Sequence, residues 1–176
     1  MNENQLPHPN SYRVAPGLLA GEYPGASQHD EALVKLTRHL QAGITSFVDL
    51  TEAGELVPYE PLLTEAVQIA GKTMTITYQR FPIRDGQIPS SPSMMVAILD
   101  AIDAALAARQ TVYVHCWGGV GRTGTVVGCW LVRHGRTGEA ALAELNAHWQ
   151  HVEKRSRYPY SPETGRQHAY VRAWHE

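Results

Sequence analysis

The chain has 176 residues, 43% of them hydrophobic and 18% charged, with a net charge near −2. That is enough to bury one core, and the charge gives no reason to expect nucleic acid or a membrane surface as a partner. Two cysteines, Cys116 and Cys129, make neither a disulfide framework nor a metal set. The helical pair His148 and His151 has no evident third ligand, so neither a metal nor another cofactor is expected.

The opening stretch MNENQLPHPN is polar and proline-punctuated. It reads as a flexible lead-in, residues 1–10, to one domain over 11–176, and as neither a secretory signal nor an anchor. Apolar runs fall far short of the roughly 20 residues of a spanning helix. A monomer in the reducing cytoplasm is expected.

Two strand-like pieces between Tyr12 and Ala20 flank Ala15-Pro16-Gly17 and suggest an edge hairpin. Ser27 is placed to cap a helix in which Leu33, Leu36 and Leu40 share a face, with Gly43 at its end. Ile44 to Leu50 reads as a strand and runs into the acidic loop Thr51–Glu55. A helix is expected from about Pro61 to Ala70, then a strand with alternating Met74, Ile76 and Tyr78. FPIRDGQIPSS, residues 81–91, is a loop carrying the isolated Asp85. Ser91-Pro92 opens a helix with a stripe of Val96, Leu99, Ile102 and Leu106. The unit from Met74 to His115 is then strand, crossover helix, strand, which places the two strands parallel in one sheet. Beyond it, Thr123–Val132 reads as a buried helix, Thr137 to about His151 as an amphipathic one, and Ser161-Pro162 as the start of a last helix carrying Tyr170 and Trp174.

The most informative stretch is TVYVHCWGGVGRTG, Thr111 to Gly124. A β-branched and aromatic strand breaks at Cys116 into a glycine-rich loop, and helical periodicity begins at Arg122. Free amides and the positive dipole end at a helix start stabilise an anion, and Gly118, Gly119 and Gly121 let successive N–H groups turn inward. A thiol in such a field has its pKa lowered to roughly 3.5–7.5 from about 8.5, which makes Cys116 a candidate nucleophile. Arg122 supplies a planar fork for two phosphate oxygens.

Gly119, Gly121 and Gly124 also spell the dinucleotide-binding pattern GxGxxG. The acidic partner would be Glu144, which lies in a helical pattern instead of at a strand end. A nucleotide-triphosphate loop is excluded, because no lysine follows Gly124. A merely buried cysteine beside a turn would leave Arg122 and three glycines unexplained.

His115, Cys116, Gly118, Gly121, Arg122 and Thr123 resemble, residue by residue, the phosphate-binding loop of the cysteine-based protein phosphatases. The aromatic-Gly-Gly run is most similar to the small dual-specificity type. The resemblance implies an α/β fold: one domain with a central mixed, mostly parallel sheet flanked by helices. It implies hydrolysis of phosphate monoesters, phosphotyrosine and/or phosphoserine/threonine in proteins, through a phosphocysteine. Cys116 would attack; the loop of Trp117, Gly118, Gly119, Val120 and Gly121 with Arg122 would hold the phosphate. Asp85, by resemblance and by its place at a strand's end, would be the general acid, then the base; its alternative is a turn-forming Asp before glycine. The rate is expected to be bell-shaped, with an optimum at roughly pH 5–7.

Thr123 is expected to stabilise the departing thiolate, and His115 to order the loop through the backbone. Gln167 resembles the glutamine that positions the hydrolytic water in tyrosine phosphatases, its alternative being a solvated helical glutamine. Arg84, Arg155 and Arg157 are candidates for an acidic substrate's flanks, and Glu52 and Glu55 for the rim. The long N-terminal extension that builds a deep phosphotyrosine pocket in larger relatives is missing, which implies a shallow site. The loop interior also lacks the lysines of phosphoinositide phosphatases. A phosphoinositide, a small phosphate ester and a non-catalytic phosphate-binding role stay open as alternatives. An arsenate reductase would need a nearer resolving thiol than Cys129, which lies roughly 10 Å along the expected helix.

Overall fold

A computed structural model describes residues 5–176. Val112, Tyr113, Val114 and His115 are all buried because their strand is central. The sheet is built from β1 (Ser11–Ala15), β2 (Leu18–Gly21), β3 (Ser46–Asp49), β4 (Thr77–Arg80) and β5 (Val112–His115), in the order β1-β2-β5-β3-β4. Only β1 runs antiparallel to its neighbour; β2, β5, β3 and β4 pair in parallel. This is the expected mixed, mostly parallel sheet, with the expected hairpin at its edge.

Alternation along the strands divides the core in two. Leu19, Phe47 and Tyr113 point to α1 (His29–Gln41) and α2 (Leu63–Ile69), packing with Leu33, Leu36, Leu40 and Leu63. Leu18, Ala20, Val48, Val112 and Val114 face the larger cluster formed with α3 (Pro92–Ala107), α4 (Gly121–Arg133), α5 (Gly138–Trp149) and α6 (Gly165–Ala173). Burial on both faces explains why Val112–Val114 reads as an unbroken apolar run. Among the described residues, no helix is long and apolar enough to cross a membrane.

Several local expectations are corrected. Gln28, not Ser27, stands at the cap position of α1, and its side chain makes no cap hydrogen bond. The predicted strand around Met74 pairs only from Thr77, because β4 is an edge strand whose sole partner, β3, begins at Ser46; Met74 and Ile76 pack on the cluster beneath instead. Ser91 does cap α3, accepting from Met94 N–H. The fully buried stripe there is Met95, Ile98, Leu99 and Ile102, with Val96 and Leu106 at its margins.

The last helix starts at Gly165 behind a Thr164 cap, not at Ser161-Pro162. Ser161 is fully buried and its hydroxyl donates to Val120 O at 2.8 Å, so it ties this segment to the start of α4 and caps nothing. Of the stretch read as a flexible lead-in, residues 1–4 lie outside the described residues. His8 Nε2 bonds to the Tyr113 hydroxyl at 2.9 Å, and the Asn10 side-chain oxygen accepts from Lys154 N–H at 3.0 Å.

Candidate active site

Parallel strands bring their C-terminal ends to one edge, which is where open α/β sheets bind ligands. From β3 leaves the loop with Glu52 and Glu55; from β4, the 81–91 loop with Asp85; from β5, Cys116 and the glycine-rich loop. The last two of these, with the segment from Lys154 to Glu163, enclose a cleft of about 380 Å³ whose walls include Cys116, Arg122, Asp85, Trp117, Arg157 and Glu163.

Cys116 is a free thiol at the base of this cleft and is 3% exposed. After it the chain doubles back to enter α4, whose first amides have no side-chain cap at Val120. The turn depends on Gly119, at φ +75°, where a Cβ would also collide with the backbone of Gly21 and Glu22. Trp117 O accepts from Tyr23 N–H at 2.9 Å, Gly118 O from Lys154 Nζ at 3.3 Å, and Val120 O from Ser161. The loop is therefore held by its carbonyls from outside, an arrangement that leaves its amides for an anion. The Trp117 side chain is 60% exposed at the mouth.

Arg122, 1% exposed, is more committed than the sequence suggested. Nη1 donates to Glu55 Oε2 (2.8 Å) and to Ile83 O (2.9 Å), Nη2 donates to Glu55 Oε1 (2.6 Å), and Asp85 Oδ1 lies 3.0 Å from Nη2. Nε is buried and has no partner among the described residues. Burial opposes the guanidinium charge, but Glu55, Cys116 and Asp85 outweigh it and push the Arg122 pKa up further. The hydrogen bond from Arg122 in turn holds the Glu55 carboxyl below the usual range. Glu55 is thus a direct partner of Arg122 and not only a rim residue. Glu52 contributes its N–H, which donates to Glu55 Oε2 at 2.9 Å.

His115 lies beneath the loop, fully buried. Nδ1–H donates to Cys116 O at 3.1 Å and Nε2 accepts from the Tyr59 hydroxyl at 2.7 Å, which sets the neutral tautomer. Burial lowers its pKa, against the pull of Asp49 at 4.0 Å. Asp49 accepts from Thr51, Tyr78 and Arg80. Burial works against its charge, yet the hydrogen bonds it accepts from Thr51 and Tyr78 help hold its carboxyl below the ordinary value. The Thr123 hydroxyl is buried with no partner among the described residues.

Gln167 is fully buried, which overturns the solvated alternative. Its amide oxygen accepts from Glu163 and Thr164 N–H in a capping box, and its amide nitrogen donates to Gln87 O. Of the three arginines considered for substrate flanks, Arg157 lines the cleft. Arg84 and Arg155 do not line it; Arg155 bonds to Gln150. Sequence reading does not single out Lys154, Tyr59 or Asp49, and gives Ser161 only as a helix start. No local signal marks them, since their partners lie tens of positions away.

Known proteins with this organisation share the phosphatase fold. The family model Tc-R-P, described as "Polymorphic toxin system, DSP-PTPase phosphatase", matches residues 21–136. The "Putative tyrosine phosphatase 067L" of Invertebrate iridescent virus 3 is 31% identical over 126 residues, which is 69% of this chain and 45% of the viral protein. The chain therefore spans a little under half the length of that curated relative. The active form of Tk-PTP superposes with a TM-score of 0.71 at 22% identity, covering 93% of this chain and 94% of that one. The catalytic domain of the PP-IP phosphatase SIW14 from S. cerevisiae superposes with a TM-score of 0.64 at 19% identity, covering 94% and 85%. With two thirds of its length matched by the family model, the chain belongs to the polymorphic-toxin-system DSP-PTPase family of dual-specificity-type phosphatases.

Proposed function

We propose that the protein hydrolyses phosphate monoesters, phosphotyrosine and/or phosphoserine/threonine in proteins, in two displacements through a phosphocysteine on Cys116. The observation that carries this reading is the meeting of Cys116, Arg122 and Asp85 in one cleft, from two loops far apart in sequence. Sγ attacks phosphorus in line, forming the S–P bond as the ester P–O bond breaks. The loop amides and Arg122 hold the equatorial oxygens, where charge accumulates.

Glu55 bonds both Nη1 and Nη2 and Ile83 O bonds Nη1, while Nη2 also meets Asp85 and, among the described residues, Nε has no partner, which leaves the Nε–Nη2 edge for a substrate. A phosphate that takes this edge bidentately displaces the Asp85 carboxylate. Asp85 is then placed to protonate the leaving oxygen, and in the second step to accept a proton from the water that attacks the phosphocysteine. Thr123, with its buried hydroxyl, donates to the departing thiolate. His115, both nitrogens bonded, orients the Cys116 carbonyl and is no base.

A second reading, a non-protein substrate such as an inositol phosphate or another small phosphate ester, is favoured by Arg157 on the cleft wall, beside Lys154, whose ammonium already pairs with Glu22. The deciding experiment is a substrate panel of phosphotyrosyl and phosphoseryl peptides, inositol phosphates and simple aryl phosphates, run beside Cys116→Ser. Turnover of at least one class and none by the serine variant is expected, with a phosphorylated Cys116 peptide trapped by rapid acid quench. Residual hydrolysis by Cys116→Ser in a contamination-free preparation would remove the cysteine from its role.

A further inference from the structure

The turn that carries Asp85 is anchored at both ends. On the entry side Ile83 N–H donates to Leu50 O at 3.1 Å, and Ile83 O accepts from Arg122. Gln87 N–H closes the turn onto Arg84 O at 3.0 Å, with Gly86 at φ +70°. On the exit side the anchor is α6. Gln167 Nε2 donates to Gln87 O at 3.1 Å and Arg166 Nη1 donates to Gln87 Oε1 at 2.8 Å.

Gln167 is itself immobilised. Its Oε1 accepts from the N–H groups of Glu163 (3.1 Å) and Thr164 (3.0 Å), and its own N–H donates to the Thr164 hydroxyl at 3.2 Å. A Cβ built on Gly121, the first residue of α4, would lie 2.9 Å from Gln167 Nε2. One buried amide thus touches the start of the phosphate-loop helix and the turn that carries the acid.

We propose that Gln167 is a positioning residue that holds the Asp85 turn over the phosphate loop through its Nε2 bond to Gln87 O. The inference rests on Asp85 being the proton donor. The Asp85 side chain is two-thirds exposed and Arg122 is its salt-bridge partner. Once a substrate takes the Nη2 position, the carboxyl is placed only by the backbone of its turn. Without the Gln167 bond, the exit side keeps only the Arg166 contact to the Gln87 side chain, which does not fix the backbone. A general acid must come within hydrogen-bond reach of its target, and a misplacement of about 1 Å costs up to about 10²-fold.

The test compares Gln167→Glu with wild type on phenyl phosphate, a poor leaving group, and p-nitrophenyl phosphate, a good one. Glutamate keeps the acceptor for the capping box but turns an oxygen toward Gln87 O. The expected kcat loss is about 10- to 100-fold on phenyl phosphate and at least about tenfold smaller on p-nitrophenyl phosphate. The alkaline limb of the pH–rate profile is expected to flatten. In an Asp85→Asn background the same substitution is expected to add less than about threefold, because the group it positions is gone. Arg166→Ala, at an exposed position, leaves the buried amide in place and removes the second grip on Gln87; the same selective loss is expected, at about threefold.

Equal losses on both substrates overturn the inference, since hydrolysis of the common phosphocysteine or a general loosening would produce them. So do losses that multiply in the Asp85→Asn background. If Asp85→Asn alone shows no leaving-group dependence, the assignment of the acid fails first, and that outcome is separate from an intact Asp85 effect with an inert Gln167.

Discussion

Asp85 and Glu55 flank the same guanidinium but answer to different tests. Asp85→Asn keeps the shape of the turn and removes the proton, so the loss of kcat is expected to grow as the leaving group worsens, within the roughly 10²–10⁴-fold range of general acid catalysis. The alkaline limb of the rate profile is expected to flatten in that variant, and a limb that persists unchanged would assign the acid elsewhere. Glu55 never meets the ester in the proposed mechanism; it sets the plane of Arg122 with two hydrogen bonds. Glu55→Gln cannot accept from both Nη atoms as a carboxylate does. A fall in kcat/KM of about 10- to 100-fold is expected, independent of the leaving group. Selectivity for poor leaving groups in Glu55→Gln would instead place its effect on the Asp85 turn. Because Arg122 holds the Glu55 carboxyl below the usual range, the pair stays ionised across mildly acidic pH and contributes no limb there.

At the scale of elements, α4 matters through what it lacks. Gly124 and Gly128 lie where the segment from Ser161 to Val171 crosses: a Cβ at Gly124 would meet Ser161 Oγ and the Pro162 backbone, and one at Gly128 would lie 2.7 Å from Val171 Cγ1. Close approach of α6 brings Ser161 to Val120 O and Gln167 to Gly121, so glycines on the helix surface translate into support for the loop at its head. Gly128→Ala, two turns from the loop, is expected to lower stability by about 1–3 kcal/mol while leaving kcat per folded molecule within about threefold. Gly119→Ala is expected to do the opposite. It strains a left-handed turn and pushes on Gly21, so activity is lost with a smaller change in urea midpoint. Equal behaviour of the two variants would mean that loop and helix packing are one cooperative unit.

At the scale of the whole molecule, the imidazoles of His8 and His39 are packed against Tyr113 of the central strand β5, and this sets the response to acid. Burial lowers His8 to about 4 and His39 to about 3, from 6.5 in the unfolded chain. Between pH 6.5 and about 4 the unfolded chain therefore binds protons that the folded one refuses, and stability falls as pH falls through that window. Above 6.5 the folded state bears no such loss. At about 1.4 kcal/mol per unit, His39 alone accounts for on the order of 3 kcal/mol by pH 4. Asp49, whose carboxyl is held below its ordinary value, keeps its charge in this range and adds its own loss only at lower pH. Urea midpoints at pH 7 and pH 4 are expected to differ markedly. A flat profile would show that these imidazoles accept protons in the folded state.

Local chemistry was enough to read the β5 run, the glycine-rich loop and the placement of Cys116 and Arg122, because a strand, a tight turn and a helix start are specified by neighbours in sequence. The crossover from β4 to β5 also followed from periodicity and handedness, and with it the meeting of Asp85 and Cys116. Tertiary structure alone decided which carboxylates meet Arg122. Glu55 and Arg122 are 67 positions apart, and nothing in Thr51–Glu55 distinguishes an ion-pair partner from a solvated acid. The same holds for Gln167, whose burial depends on the glycine face of α4 lying under α6, and for Ser161, which looked like a helix cap until its hydroxyl reached Val120. Patterns of period 2 and 3.6 reveal which face of an element is buried. Which polar groups become partners across that face depends on how elements dock, a property of the assembled sheet and helices that no window of neighbouring residues contains.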